Sequence, residues 1–297
     1  MNNVKGLRDS ELKVISEIVR DYIFVPSYEK KTTIFLCGAD LNDKTTGRYK
    51  ISKLFDKYPR YELLYPEDLF DDLLVGQGQH SLLTLENILA ECVDSIVIIP
   101  ESPGSFAELG VFSNDERLVN KLICVGNKKY SKKKSFINYG PVKLIKASDT
   151  GSVFNVDFSD LDDEINKIKM YKTINNAITK IKKKYAINKD IANILETENY
   201  VLPCIYLIDS ITSRDLFKLV EYATKHDKKI AEIATKSSIG RLIKCNYIVR
   251  TTTGYSVTKQ GIHRIRTTLS NKYLDVLRLE IMNSQNRFNT VIKAINF

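Results

Sequence analysis

The chain has 297 residues, 43% of them hydrophobic, and carries 45 Lys and Arg against 36 Asp and Glu for a net charge of +9. That length supports two domains, while no apolar run approaches the ~18 residues of a membrane span and the N-terminal stretch lacks the apolar core of a signal peptide, which leads us to expect a cytoplasmic protein without membrane contact. Five scattered cysteines (Cys37, Cys92, Cys124, Cys204, Cys245) without a Cys-x-x-Cys pair, and only three histidines, argue against a disulfide framework and a zinc hydrolase, so no metal and no cofactor are expected.

The charge is unevenly placed. Residues 1–150 hold 21 basic and 21 acidic residues, whereas residues 212–297 hold 16 and 6. A neutral first part joined to a basic last part points to a polyanion as partner of the latter.

Taken in order, the chain opens with an amphipathic helix from about Asp9 to Tyr22. The strand Thr32 to Cys37 follows, ending at Gly38-Ala-Asp40, and then a helix from Gly47 to Lys57 and a second strand, Tyr61 to Tyr65. Helices near Glu67–Leu74 and Leu82–Cys92 flank the loop 76–80, Gly-Gln-Gly-Gln-His. That loop lacks the third glycine of a dinucleotide fingerprint, and His80 on it is a weak candidate for contacting a leaving group. Ser95 to Ile99 is a continuous β-branched run, the pattern of a parallel strand covered on both faces. Pro100, Pro103 and Gly104 stop it, and Ser105 reads as the N-cap of a helix whose first turn carries Glu108. A carboxylate there lies at the carboxyl end of the strand, the edge at which open α/β sheets bind ligands. Leu122 to Gly126 is a further strand, the basic loop Lys128 to Lys134 interrupts the series, and Pro141 to Lys146 is a candidate last strand. The alternation reads as an α/β doubly wound parallel sheet, Rossmann-like.

Residues 160–184 show apolar positions at helical spacing without Gly or Pro and read as a long connecting helix. Its terminal Lys180, Lys182, Lys183 and Lys184 suit the helix dipole and are read as a solvated end in preference to a nucleic-acid contact. Helices then cover Leu202–Asp209, Ser213–Ala223 and Lys228–Cys245, followed by strands Tyr247–Arg250 and Tyr255–Thr258 around a Thr253-Gly254 turn. The expected boundaries are 1–158 for a catalytic domain, 159–201 for a helical connector and 202–297 for a nucleic-acid-binding domain ending in a helix.

Cys37-Gly-Ala-Asp40, the Asp94-opened strand and Gly104-Ser-Phe-Ala-Glu-Leu-Gly110 resemble the nucleoside 2-deoxyribosyltransferase group. The resemblance implies that Glu108 is the nucleophile at an anomeric carbon, that Glu86 on the preceding helix holds sugar hydroxyls, and that Gly38, Asp40, Asp94, Ser102, Gly104 and Ser105 surround the substrate. Where that family has an acid six residues before the nucleophile, this chain has Ser102, with Glu101 one step earlier. The departure favours hydrolysis over base exchange, with Glu101 as candidate proton donor. The family also implies a homo-oligomer whose neighbour completes the site.

The stretches Ile239 to Ile248 and Gly254 to Gly261 resemble a winged helix-turn-helix domain, which implies that its third helix enters the major groove. Lys236, Ser237, Ser238, Arg241 and Lys244 would face nucleic acid there, with Arg250, Thr252 and Lys259 near the wing. The two parts together resemble the effector protein of a bacterial retron, a phage-defence system. That resemblance implies an N-glycosidase toxin acting on NAD or a related nucleotide. It also implies as partners the retron reverse transcriptase and its multicopy single-stranded DNA with the attached RNA. A nucleotide-sensing transcriptional regulator without catalysis is the other reading that the same residues allow.

Overall fold

The computed structural model describes residues 7–26, 31–67, 82–224, 228–269 and 271–286. They form two compact units: one combines residues 31–67 with 82–188, the other residues 7–26 with 189–286.

The first unit is built on five parallel strands, β1 (Thr32–Cys37), β2 (Tyr61–Leu64), β3 (Ser95–Ile98), β4 (Leu122–Asn127) and β5 (Ser152–Val156), in the order β2-β1-β3-β4-β5. Residues alternate between its faces, as the pleat requires. Ile34, Leu36, Val97, Ile99, Ile123 and Val125 face helix α7 (Glu164–Lys184), which answers with Met170, Ile174, Ile178 and Ile181. On the other face Phe35 meets Phe112 of α4 (Pro103–Asn114), ring centroids 6.4 Å apart. Burial on both faces is why β1 and β3 read as unbroken apolar runs. Helices α2 (Gly47–Phe55) and α3 (Leu82–Cys92) connect β1 to β2 and lead into β3. The order of strands reverses between β1 and β3, which puts the ligand-binding crevice of this topology outside their carboxyl ends.

Two expectations fail here. Pro141 to Lys146 is not a strand: after the single turn α5 (Phe136–Tyr139), Pro141 opens helix α6 (Pro141–Ala147) at N1, where its missing N–H costs nothing, and Val142 and Ile145 turn to the core three residues apart. The fifth strand is β5, a half-buried edge strand with exposed Asn155 that carries no strong sequence signal. The expected connector is also divided. Residues 164–184 belong to the sheet unit, where Lys182 donates to Thr32 Oγ1 at 2.7 Å and Lys184 pairs with Asp149, so these lysines serve the helix end.

The second unit contains α1 (Asp9–Ile18), continued by a π-helical turn to Ile23, then α8 (Thr197–Leu207), α9 (Ser213–Thr224), α10 (Lys228–Lys244), the antiparallel hairpin β6 (Ile248–Arg250) and β7 (Tyr255–Val257), α11 (Lys259–Thr268) and α12 (Asn271–Asn286). Helix α1, expected with the catalytic domain, is held here: Leu12, Ile15 and Val19 lie in this core, and Tyr200 Oη donates to Ser16 Oγ at 2.9 Å. The boundary expected at 201 falls inside α8. Gly254 is required by close approach: a Cβ there would sit 2.3 Å from the Ile211 carbonyl, which pairs with Tyr255 beside the hairpin.

Candidate active site

Helix α4 begins one turn earlier than expected. Ser102 is the N-cap and its Oγ accepts from the Ser105 N–H at 3.2 Å, while Ser105 Oγ accepts from the N–H groups of Glu101 and Ser102 at 3.1 and 2.9 Å. This reciprocal cap, with Pro103 at N1, fixes the strand-to-helix turn and moves Glu108 into the second helical turn. Ser102 Oγ also lies 3.3 Å from the Gly38 carbonyl, tying the end of β3 to the end of β1 across the crevice.

Glu108 is largely buried. The Cys37 thiol at the end of β1 donates to its carboxylate, and among the described residues its Oε2 has no hydrogen-bond partner. Burial pushes the Glu108 carboxyl above its ordinary value, with the thiol and the nearby Arg48 guanidinium pulling the other way. A partly desolvated carboxylate with one oxygen unengaged can act on an electrophilic carbon, because solvent does not blunt it.

Arg48 is the component that sequence reasoning missed. Its side chain is 3% exposed; Nε donates to Leu36 O at 3.1 Å and Nη1 to Ala39 O at 3.0 Å, and the guanidinium pairs bidentately with Glu67 at 2.7 and 2.8 Å. The only trace it leaves in the sequence is Gly38, where a Cβ would sit 2.7 Å from Arg48 Cβ. Gly38 therefore serves the passage of this arginine beneath the β1 turn. Gly104 is exposed and a Cβ there would meet nothing within 4 Å, so the first turn of α4 stays open.

Other candidates have different employment. Glu101 accepts from the N–H groups of Gly47 and Arg48, both at 2.8 Å, and from Ala39 at 3.4 Å, so the carboxylate is bound to the start of α2. Asp40 is exposed and closes a local turn by accepting from Asn42 N at 2.9 Å. Asp94 is buried at the amino end of β3, accepting from Thr33 N at 2.8 Å and Thr33 Oγ1 at 3.1 Å, at the edge of the sheet opposite Glu108. It is a strand-entry residue and does not reach the crevice. Glu86 lies on α3, but its side chain is outside the described residues, as is the whole of the 76–80 loop with His80.

In the second unit the expected nucleic-acid residues separate into two groups. Ser237 and Ser238 are buried, Ser238 Oγ donating to Ala234 O at 2.8 Å, and Arg241 is spent on Glu198 at 3.0 Å and Ile194 O at 2.8 Å, fastening α10 to the start of α8. The two serines face the core because small polar residues let α8 pack closely on α10. Lys244, Arg250, Thr252 and Lys259 are exposed, and Lys236 pairs with Glu232 at 2.6 Å on the helix surface.

Comparison with known proteins identifies relatives of the chain. A chain from Escherichia coli named "Retron Ec86 putative ribosyltransferase/DNA-binding protein" is 47% identical over 264 residues, 86% of each chain. Another from the same organism, "Retron Ec73 putative ribosyltransferase/DNA-binding protein", is 37% identical over 120 residues, 39% of this chain and 38% of the relative. The family model described as "STM3845 retron effector protein" matches residues 44–250, a span that holds Arg48, Glu108 and the first strand of the hairpin. With most of its length matched in this way, the chain belongs to the retron effector family.

Proposed function

We propose that the sheet unit is an N-glycosidase that cleaves the bond between ribose and base in NAD or a related nucleotide, with Glu108 as the nucleophile. The observation that carries the reading is the half-satisfied, partly desolvated Glu108 carboxylate at the β1/β3 switch point. Its unengaged oxygen attacks the anomeric carbon as the C–N bond breaks, and the bonding pair returns to the departing base. Water then opens the glycosyl ester, with loss of a proton to solvent. Nicotinamide leaves as a neutral molecule, so NAD needs no strong proton donor, which suits a site whose Glu101 is committed to α2. Glu86 is assigned to the sugar hydroxyls.

In this reading the protein is the toxic effector of a retron, held inactive by the reverse transcriptase and its RNA–DNA product. The second unit is a winged helix that meets nucleic acid through Lys244, Arg250 and Lys259, and the active assembly is a homo-oligomer. The names of the two E. coli relatives, ribosyltransferase and DNA-binding protein, support both halves. The test is nicotinamide release from NAD by the purified chain beside Glu108→Gln. If neither NAD nor any nucleoside is cleaved, and Glu108→Gln behaves in cells as the parent does, the enzyme reading fails and a nucleotide-sensing regulator replaces it.

A further inference from the structure

We infer that the sheet unit carries a binding surface of its own for single-stranded nucleic acid, formed by residues 128–147 at the carboxyl edge of the sheet. This inference rests on no step of the reading above. Residues 128–147 contain seven lysines and no Asp or Glu. None of the seven forms an ion pair among the described residues, in contrast to Lys50, Lys53 and Lys167 of the same unit, each of which pairs with a carboxylate. Unneutralised cations at this density constitute a polyanion footprint.

Aromatic rings stand among these charges. Phe136 is 83% exposed, Tyr139 63% and Tyr130 51%. Lys129 and Lys133 lie over the Tyr130 ring at 5.7 and 4.8 Å from its centroid, which leaves the cations beside a π-face and not beside an acid. The segment is held in one shape, because Asn138 Nδ2 donates to the carbonyls of Tyr130 and Lys133 at 3.0 and 2.7 Å. It also lines a cavity of about 480 Å³ over the ends of β3, β4 and β5, together with Glu101, Phe106, Asn127 and Asn155.

Exposed rings interleaved with lysines are the elements that bind single strands without strong sequence preference: cations follow the phosphates while bases stack on the rings. The cavity adds room for one unstacked base, with amide groups in its lining to meet the base edge. An anionic membrane would also attract the lysines, but it has no use for a cavity lined by amide side chains, and we therefore assign the surface to nucleic acid.

The chain contains no tryptophan, so Phe136→Trp in the full chain supplies a single fluorescent reporter at a position where the wild-type side chain touches little. Titration with an oligothymidylate of about 12 nucleotides should give saturable quenching as bases stack on the ring. Adding Lys132→Ala, Lys133→Ala and Lys134→Ala should lower the log–log salt slope of that quenching by about 2, at roughly 0.7 per phosphate contact. Two results overturn the proposal. One is an unquenched reporter when anisotropy of a labelled oligothymidylate shows the chain saturated. The other is a blue shift with phosphatidylserine vesicles and no response to the oligonucleotide, which assigns the surface to a membrane.

Discussion

Replacing Glu108 by Gln should make the protein more stable while abolishing its chemistry. The carboxylate is largely buried, one oxygen has only a thiol partner, and the other has none among the described residues. An unsatisfied buried polar group costs about 1–3 kcal/mol, more when charged. With Cys37 and Arg48 offsetting part of this, the neutral amide should gain about 1–2 kcal/mol, a rise of about 3–6 °C in Tm for a unit of this size. The pH dependence carries the sign. Because burial raises the carboxyl above its ordinary value of 4.5, folded and unfolded forms are both protonated in strong acid and the penalty is absent there. It develops as pH rises through the unfolded value towards the folded one and persists above. The gap between Glu108→Gln and wild type, read from thermal melts across pH, should therefore be full at neutral pH and close below about pH 4. Over the same interval the proposed wild-type activity should rise as the Glu108 carboxyl ionises, and the variant should lose a factor of about 10³ or more. A Glu108→Gln protein less stable than wild type at neutral pH, or a gap that does not close in acid, refutes the argument.

Glu101→Ala removes the acceptor for three backbone N–H groups near the start of α2 and should cost about 1–2 kcal/mol in denaturant unfolding. The acid limb of the activity profile should keep its position, because it follows the Glu108 carboxyl. Arg241→Ala breaks a pair whose side chains are 15% and 17% exposed and should destabilise by about 2–3 kcal/mol, while the salt slope of oligonucleotide binding by the folded protein stays unchanged. Arg250→Ala with Lys259→Ala should do the reverse. Their stability change should stay within about 0.5 kcal/mol, and the salt slope on duplex DNA should fall by about 2.

The sheet was legible because β1, β3 and β4 are buried on both faces, and such strands announce themselves as unbroken apolar runs. Pro141 to Lys146 misled because a short segment of apolar residues fits either period until a neighbour's packing decides. The amphipathic face of α1 was equally plain, but periodicity says only that a helix packs, never on which core. At the site, Pro-Gly-Ser after a strand and before Glu108 exposed the carboxylate, since turn chemistry is local. Arg48 stayed hidden because its role depends on the space that Gly38 leaves, a contact between elements. Ser238 and Arg241 were misplaced for a related reason. Helix α10 buries Thr235, Ser237 and Ser238 along with its apolar residues, so polarity did not mark its outer face.

Helix α1 has a consequence for how the protein is made. It leaves the ribosome well before its partners around Tyr200 and Leu219, which follow nearly two hundred residues later, about 10–40 s at ordinary rates of synthesis. In that interval all five strands and α7 have emerged. The unit bearing Glu108 can therefore close while the apolar face of α1 still waits for its core. A message cut after the codon for Lys184 would yield a finished sheet unit trailing an orphan helix, without the second unit.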